Sequence, residues 1–217
     1  QFFFNRDGNQ DEWLPGDFGI ELSVQLARET PGTWMPAIKF SIAETLPTGQ
    51  YENLDMKKLG TDAGGAGSWG TLFKFVCAKL WHFSGHHFLA ARLSGGTQLF
   101  SNVKVNGANA YGGDSSTKGV VHPGVAVPFY LGLEYTMTRR WALALDLVSI
   151  YTAPTRFKGT TLCPVGNKTH SYTLSIAPAI EYNFNLNVGL IAGIWTTLVG
   201  RNTYNFINGV VAVNVFI

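Results

Sequence analysis

The alternation between Thr117 and Tyr151 limits the fold more than any other stretch of this sequence. In the run from Val121 to Tyr135, Val121, Val125, Val127, Phe129, Leu131, Leu133 and Tyr135 alternate with His122, Gly124, Ala126, Tyr130, Gly132 and Glu134. After a polar turn at Thr138-Arg139-Arg140, Trp141, Leu143, Leu145, Leu147 and Tyr151 alternate with Ala142, Ala144, Asp146 and Ile150. A period of two predicts strands, and these runs exceed the roughly five or six residues of soluble sheets. One row is large and apolar and ends in aromatics beside the turn. The other is small and polar, with isolated carboxylates. A soluble lipocalin-like barrel would need the reverse, with large residues inside and a polar exterior. The pattern therefore predicts an all-β, antiparallel transmembrane β-barrel whose apolar row meets lipid and whose small row lines the lumen.

Composition agrees. Charged residues make up 14% of the 217 residues, well below the roughly 25% of soluble domains. No apolar run reaches the roughly 18 residues that a membrane helix needs, so strands must do the spanning, and in lipid only a closed barrel satisfies every backbone group. A formal net charge of +2 gives no reason to expect nucleic acid as a partner. The start, Gln1-Phe2-Phe3-Phe4-Asn5, lacks a basic segment and a small-residue cleavage site, so the chain reads as a mature or trimmed form. Cys77 falls in a strand and Cys163 in a loop. In an oxidising compartment the two could pair or stay free.

Along the chain, residues 1–15 read as a polar N-terminal loop of a single barrel domain spanning 1–217, with Phe2-Phe3-Phe4 as the end of an earlier strand. Nine long strands are expected, over 16–28, 37–46, 69–83, 87–100, 121–135, 141–151, 169–184, 187–199 and 204–217. Ile20, Leu22, Val24 and Leu26 oppose Glu21, Ser23 and Gln25, and Ile38, Phe40 and Ile42 oppose Lys39, Ser41 and Thr45. The strand over 69–83 is less clean, because Lys79 falls in the row of Phe73, Phe75, Cys77, Trp81 and Phe83; a bulge would explain it. Glu134-Tyr135 and Glu181-Tyr182 repeat one arrangement before two reversals, Glu inward and Tyr outward. Keeping paired residues on one face requires turns with an odd number of unpaired residues, three or five rather than two.

Turns near 30, 85, 139 and 185 are short, whereas loops at 47–66, 101–118 and 154–168 are long. In outer-membrane barrels short turns face the periplasm and long loops the exterior. Trp81, Phe83, Tyr135, Trp141 and Tyr182 cluster beside the short turns, where an aromatic belt belongs. Nine strands then leave the N-terminus on the exterior side. One or three further strands, giving ten or twelve, would close the barrel, or a neighbouring chain would cover the open edge.

Two segments carry a family resemblance. Gly16-Asp17-Phe18 opens a strand, and the next ends in Leu46-Pro47-Thr48-Gly49-Gln50-Tyr51. Leu59-Gly60-Thr61-Asp62 and Gly64 to Trp69 follow. This quarter of the chain resembles the outer-membrane barrel family of the meta-pathway of phenol degradation, a transporter-like group. The resemblance implies a barrel of about twelve strands that passes small, often apolar, compounds.

The inward rows carry Glu21, Lys39, Arg92, Tyr130, Glu134, Asp146 and Glu181. A basic residue at mid-depth on the lipid face would cost roughly 2–4 kcal/mol, which turns the charges inward. There they either set a field for passing solutes or pair and fill a blocked interior. The expected role is thus a passive channel or binding barrel for small molecules in the bacterial outer membrane, with lipid and a solute as partners. A structural barrel with a blocked lumen is the alternative, its exterior loops or open sheet edge contacting a protein; a lipid hydrolase is a weaker one. His82, His86 and His87 flank one short turn without a carboxylate at ligand spacing, so neither a metal nor a cofactor is expected. Ser84 beside them is too crowded for a nucleophile and base to meet, so no enzyme activity is expected. Asn167-Lys168-Thr169 reads as an ordinary loop, and Gly64-Gly65-Ala66-Gly67 lacks the Lys of a phosphate loop.

Overall fold

The computed structural model describes residues 2–5, 8–11, 14–58, 60–185 and 187–215. In chain order the strands are β1 (Phe2–Asn5), β2 (Gly8–Asp11), β3 (Phe18–Ala27), β4 (Ala37–Leu46), β5 (Gly70–Ser84), β6 (His87–Phe100), β7 (Val103–Asn106), β8 (Lys118–His122), β9 (Ala126–Thr136), β10 (Trp141–Thr152), β11 (Arg156–Thr160), β12 (Ser171–Asn183), β13 (Val188–Arg201) and β14 (Ile207–Val215). The helical element among the described residues is one 3₁₀ turn, Met56–Lys58.

Nine long strands form one antiparallel sheet in the order β14-β13-β12-β10-β9-β6-β5-β4-β3, all neighbours along the chain once the small sheet below is set aside. They are the nine read from alternation. The sheet is open, with β3 and β14 as its edges. Its longest members, β5 with 15 residues and β6 and β13 with 14, exceed the 9–11 residues a tilted strand needs to cross a bilayer. Pro128 and Pro178 lie within strands. The pairing of β9 with β6 and of β12 with β13 skips these positions, as the missing N–H requires.

Register assigns the faces. Asp146 pairs with Gly132 and Gly132 with Arg92, so even numbers share one face on β5, β6, β9 and β10. Beyond β10 and β5 the same face continues as odd numbers on β12, β4 and β3, including Glu181, Lys39 and Glu21. The opposite face is apolar and uncovered: Leu22 is 75% exposed, Phe75 56% and Val211 75%.

Several sequence expectations need correction. Residues 1–15 are not all loop, because β1 and β2 pair as a separate two-stranded ribbon. The run Val121 to Tyr135 is two strands, β8 and β9, broken where Pro123 removes a ladder donor. No bulge moves Lys79; the irregularity in β5 falls at Phe83, between His82 and Ser84. That bulge also explains why the 84–87 turn leaves two residues unpaired, against the odd-number expectation. It restores parity, and Trp81 still pairs with Leu89. The other two tight turns follow the rule: five residues separate the paired Thr136 and Ala142, and five separate Asn183 and Gly189.

The long loops are folded rather than loose. β7, β8 and β11 make a three-stranded sheet in the order β11-β8-β7. It continues three wall strands in register: Gln98 pairs with Ala126 and, five residues on, Val103 with Val121; Thr152 pairs with Ala126 and, four residues on, Arg156 with His122. Val103, Val105, Val121 and Val165 form a small buried core here, with Tyr51, Tyr111 and Phe157 against it. The loop after β4 is stitched to this cap through Asn53 N–H to Asn106 O, Leu54 N–H to Ala108 O and Ala110 N–H to Tyr51 O.

Three of the motif stretches that carried the family resemblance, around Asp17, Thr48 and Ala66, meet at one point of the rim. Thr48 Oγ1 accepts from Phe18 N–H and donates to Gly16 O. The Asp17 carboxylate accepts from Gly49 N–H and Ala66 N–H, both at 2.9 Å. Position 65 must be glycine, because a Cβ there would collide with that carboxylate. Replacing Asp17 with Ala removes two charge-assisted bonds from a half-buried site and should destabilise the rim by about 2 kcal/mol. The check is trypsin cleavage at Lys57, which should accelerate in the variant while the far-ultraviolet spectrum keeps its β signature.

Candidate functional site

The polar face of the nine-stranded sheet gathers all seven charged or polar side chains singled out in the sequence. Glu21, Lys39, Arg92, Tyr130, Glu134, Asp146 and Glu181 lie on this one face. Small residues between them leave room: Ala90, Ala142 and Ala144 surround Glu134, and Gly132 lies between Arg92 and Asp146. Two hollows open here. One of about 510 Å³ is bordered by Arg92, Glu134, Asp146 and Glu181. The other, about 370 Å³, is bordered by Lys39, Lys74, Arg92, Tyr130 and Asp146.

The charges are sorted by strand. Lys39, Lys74 and Arg92 stand on β4, β5 and β6; Glu134, Asp146 and Glu181 stand on β9, β10 and β12. At the basic end Lys74 Nζ lies 2.9 Å from Glu21 Oε2, and Glu21 also accepts from Ser23 Oγ. At the junction, a Cβ on Gly132 would sit 2.7 Å from Asp146 Oδ1 and 3.8 Å from an Arg92 guanidinium nitrogen. Both groups overhang Gly132, yet among the described residues no ion pair closes between them. The arrangement is half paired: one ion pair is made and one acid–base contact is left open.

Lys74 was missed in the sequence. Both rows of β5 are largely apolar, so a single Lys does not mark its row; the even numbering with Leu72 and Val76 is the available signal. Lys79 does lie on the apolar face, where it is 9% exposed. The turn between β3 and β4 folds over it. Its ammonium lies 2.9 Å from Glu29 Oε1 and donates to Met35 O. Glu29 also accepts Leu80 N–H, a donor left free because β4 pairs no further than Ala78.

Aromatic side chains crowd the short-turn end. Trp141 and Tyr182 have ring centres 4.7 Å apart, and Tyr182 meets Phe184 edge-on. Tyr135 stacks on His87, its hydroxyl 3.0 Å from Nδ1. Trp81 shares the apolar face, and Phe83 stands in the bulge. The three histidines diverge: His82 stacks on Phe88, His86 accepts from Arg139 Nε at 2.7 Å, and His87 takes Tyr135. The two cysteines are free, Cys77 mid-strand on β5 and Cys163 in the exposed loop after β11. The Asp114 carboxylate, beside Cys163, pushes the thiol pKa up.

The Lys79 ammonium, and then Leu80 N–H, hold the Glu29 carboxyl below the usual carboxylate range. A depressed carboxyl stabilises the fold above its unfolded pKa and loses that contribution as pH falls through its folded value. The tether should therefore be intact at neutral pH and be released in acid, below the ordinary carboxylate range. Amide exchange at Leu80 reads this directly: protection should drop in acid in the parent chain and be low at both pH values in Glu29→Gln.

No family model matches this sequence, and no curated protein matches it. Among solved structures, the crystal structure of the COG4313 outer membrane channel from Pseudomonas putida F1 is similar, with a TM-score of 0.68 at 18% identity. The match covers 93% of this chain and 67% of the channel's. The fold is that of an outer-membrane β-barrel wall.

Proposed function

We propose that this chain is the wall of a bacterial outer-membrane channel through which small molecules pass passively along the polar face. The observation that carries the reading is the division of one sheet into an uncovered apolar face and a face bearing sorted, partly unpaired charges. In lipid the apolar face lowers the free energy and the polar one needs water. The edges β3 and β14 would be matched by further strands, giving the ten or twelve expected for closure. The channel of similar fold is consistent with this role. The likeness to the phenol-degradation family would make the solutes small and often apolar. The charged junction at Gly132 offers polar solutes more to hold.

A second reading, a blocked structural barrel that binds a partner, draws on the folded cap, which offers a firm exterior surface. Conductance in planar bilayers separates the two. An open lumen should conduct, and neutralising the two sides of the junction should move the reversal potential in opposite directions. Arg92→Gln should raise cation preference and Asp146→Asn anion preference, while Gly132→Leu should reduce conductance by filling the gap. Protein that neither conducts nor passes solutes into liposomes would favour the structural reading.

A further inference from the structure

The cap sheet separates its residues as sharply as the wall does, with basic side chains in place of mixed ones. Val103, Val105, Val121 and Phe157 turn to the buried core. The other face carries Lys104 on β7, Lys118 and His122 on β8, and Arg156 and Lys158 on β11. These lie in rows across the three strands: Lys104 and Lys158 flank Val120, and His122 is paired with Arg156. All but His122 are exposed. Like charges gathered on one face of a small sheet repel, and a bound anion would offset that repulsion.

A second observation places the ligand. A hollow of about 980 Å³ at β11, the edge strand of the cap sheet, is bordered by His122, Arg156, Lys158 and Lys168 together with Phe157 and Val165, with no carboxylate among its lining residues. Its volume is that of a small-molecule site rather than a flat contact. The nearby carboxylates are engaged elsewhere. Asp114 accepts from Ser116 and from Leu162 N–H, and Glu52 accepts from Asn106 N–H at the β7 edge. His122 is held by Asn102 Oδ1, 2.7 Å from its Nδ1.

We propose that this face is a binding site for small solutes carrying two or more oxyanionic charges, held by Arg156, Lys158, Lys168 and His122. The occupant is a free solute rather than a lipid headgroup. The cap continues the wall in register, and its basic residues keep the numbering of the polar face on β6, β9 and β10. This extends the channel reading by naming a solute class. Binding is read by titration and passage by conductance, so failure of either is distinguishable from failure of the other.

The test is calorimetric titration of pyrophosphate into the folded full chain in a neutral detergent. Binding should be abolished by raising the ionic strength to about 1 M, where the screening length is about 3 Å. Arg156→Gln with Lys158→Gln should weaken it about a hundredfold, at roughly tenfold per lost charge-assisted contact. Lys168→Gln, outside every strand, should weaken it about tenfold by the same reckoning. Arg139→Gln, at the opposite rim, should leave it unchanged. Absence of pyrophosphate binding would overturn the proposal, as would equal loss in Arg139→Gln. So would binding of lipopolysaccharide alone through the same residues.

Discussion

A strand in hydrocarbon has no water to satisfy its backbone, and the ladder between neighbouring strands is the constraint on which the rest of this structure depends. Strands of 9–15 residues pair over nearly their whole lengths from β3 to β14. Once the ladder holds the backbone, the side chains are free to sort by parity. Most large residues go to the uncovered face, and most charges go to the other, Lys79 excepted. The usual arrangement of a soluble protein is thereby inverted, and burial shows it. Among the described residues, the buried hydrophobic cluster lies in the cap, not between the long strands. The wall is held by hydrogen bonds and by its surroundings rather than by a core.

The two ends solve different problems. At the short-turn end, the aromatic side chains of Tyr135, Trp141 and Tyr182 pack with His87 and Phe184, and Glu29 bridges Lys79 to the free donor of Leu80. At the other end the Asp17 carboxylate ties two distant stretches of loop to the start of β3. Beyond it, the register of three wall strands carries on into a cap with its own valine core. The structure thus joins a charged wall to a cap with a basic outer face without breaking the parity of either.

The wall was legible because a period of two accumulates no error. Asp146, Arg92 and Glu181 could be assigned to one face from alternation and from the cost of a charge in lipid. The cap was not read, although Val103-Lys104-Val105 and Arg156-Phe157-Lys158 alternate. Segments of four or five residues give too few repeats to stand out from loop. Pro123 was a visible break, overridden by the apolar alternation on either side of it. Lys79 could not be explained locally, since its partner Glu29 lies 50 positions away in another turn. The Asp17 knot was present as a motif but had no physical meaning until the chain brought its parts together.

In the proposed channel, odd positions of β10 face lipid and even positions face water. Single cysteines at residues 142 to 147, in a chain with Cys77 and Cys163 replaced by Ser, can carry nitroxide labels after reconstitution into bilayers. Their accessibility to oxygen, which partitions into lipid, and to a water-soluble nickel complex measures the two environments. Oxygen maxima are expected at 143, 145 and 147 and nickel maxima at 142, 144 and 146. The reverse order, or no alternation, would contradict this orientation.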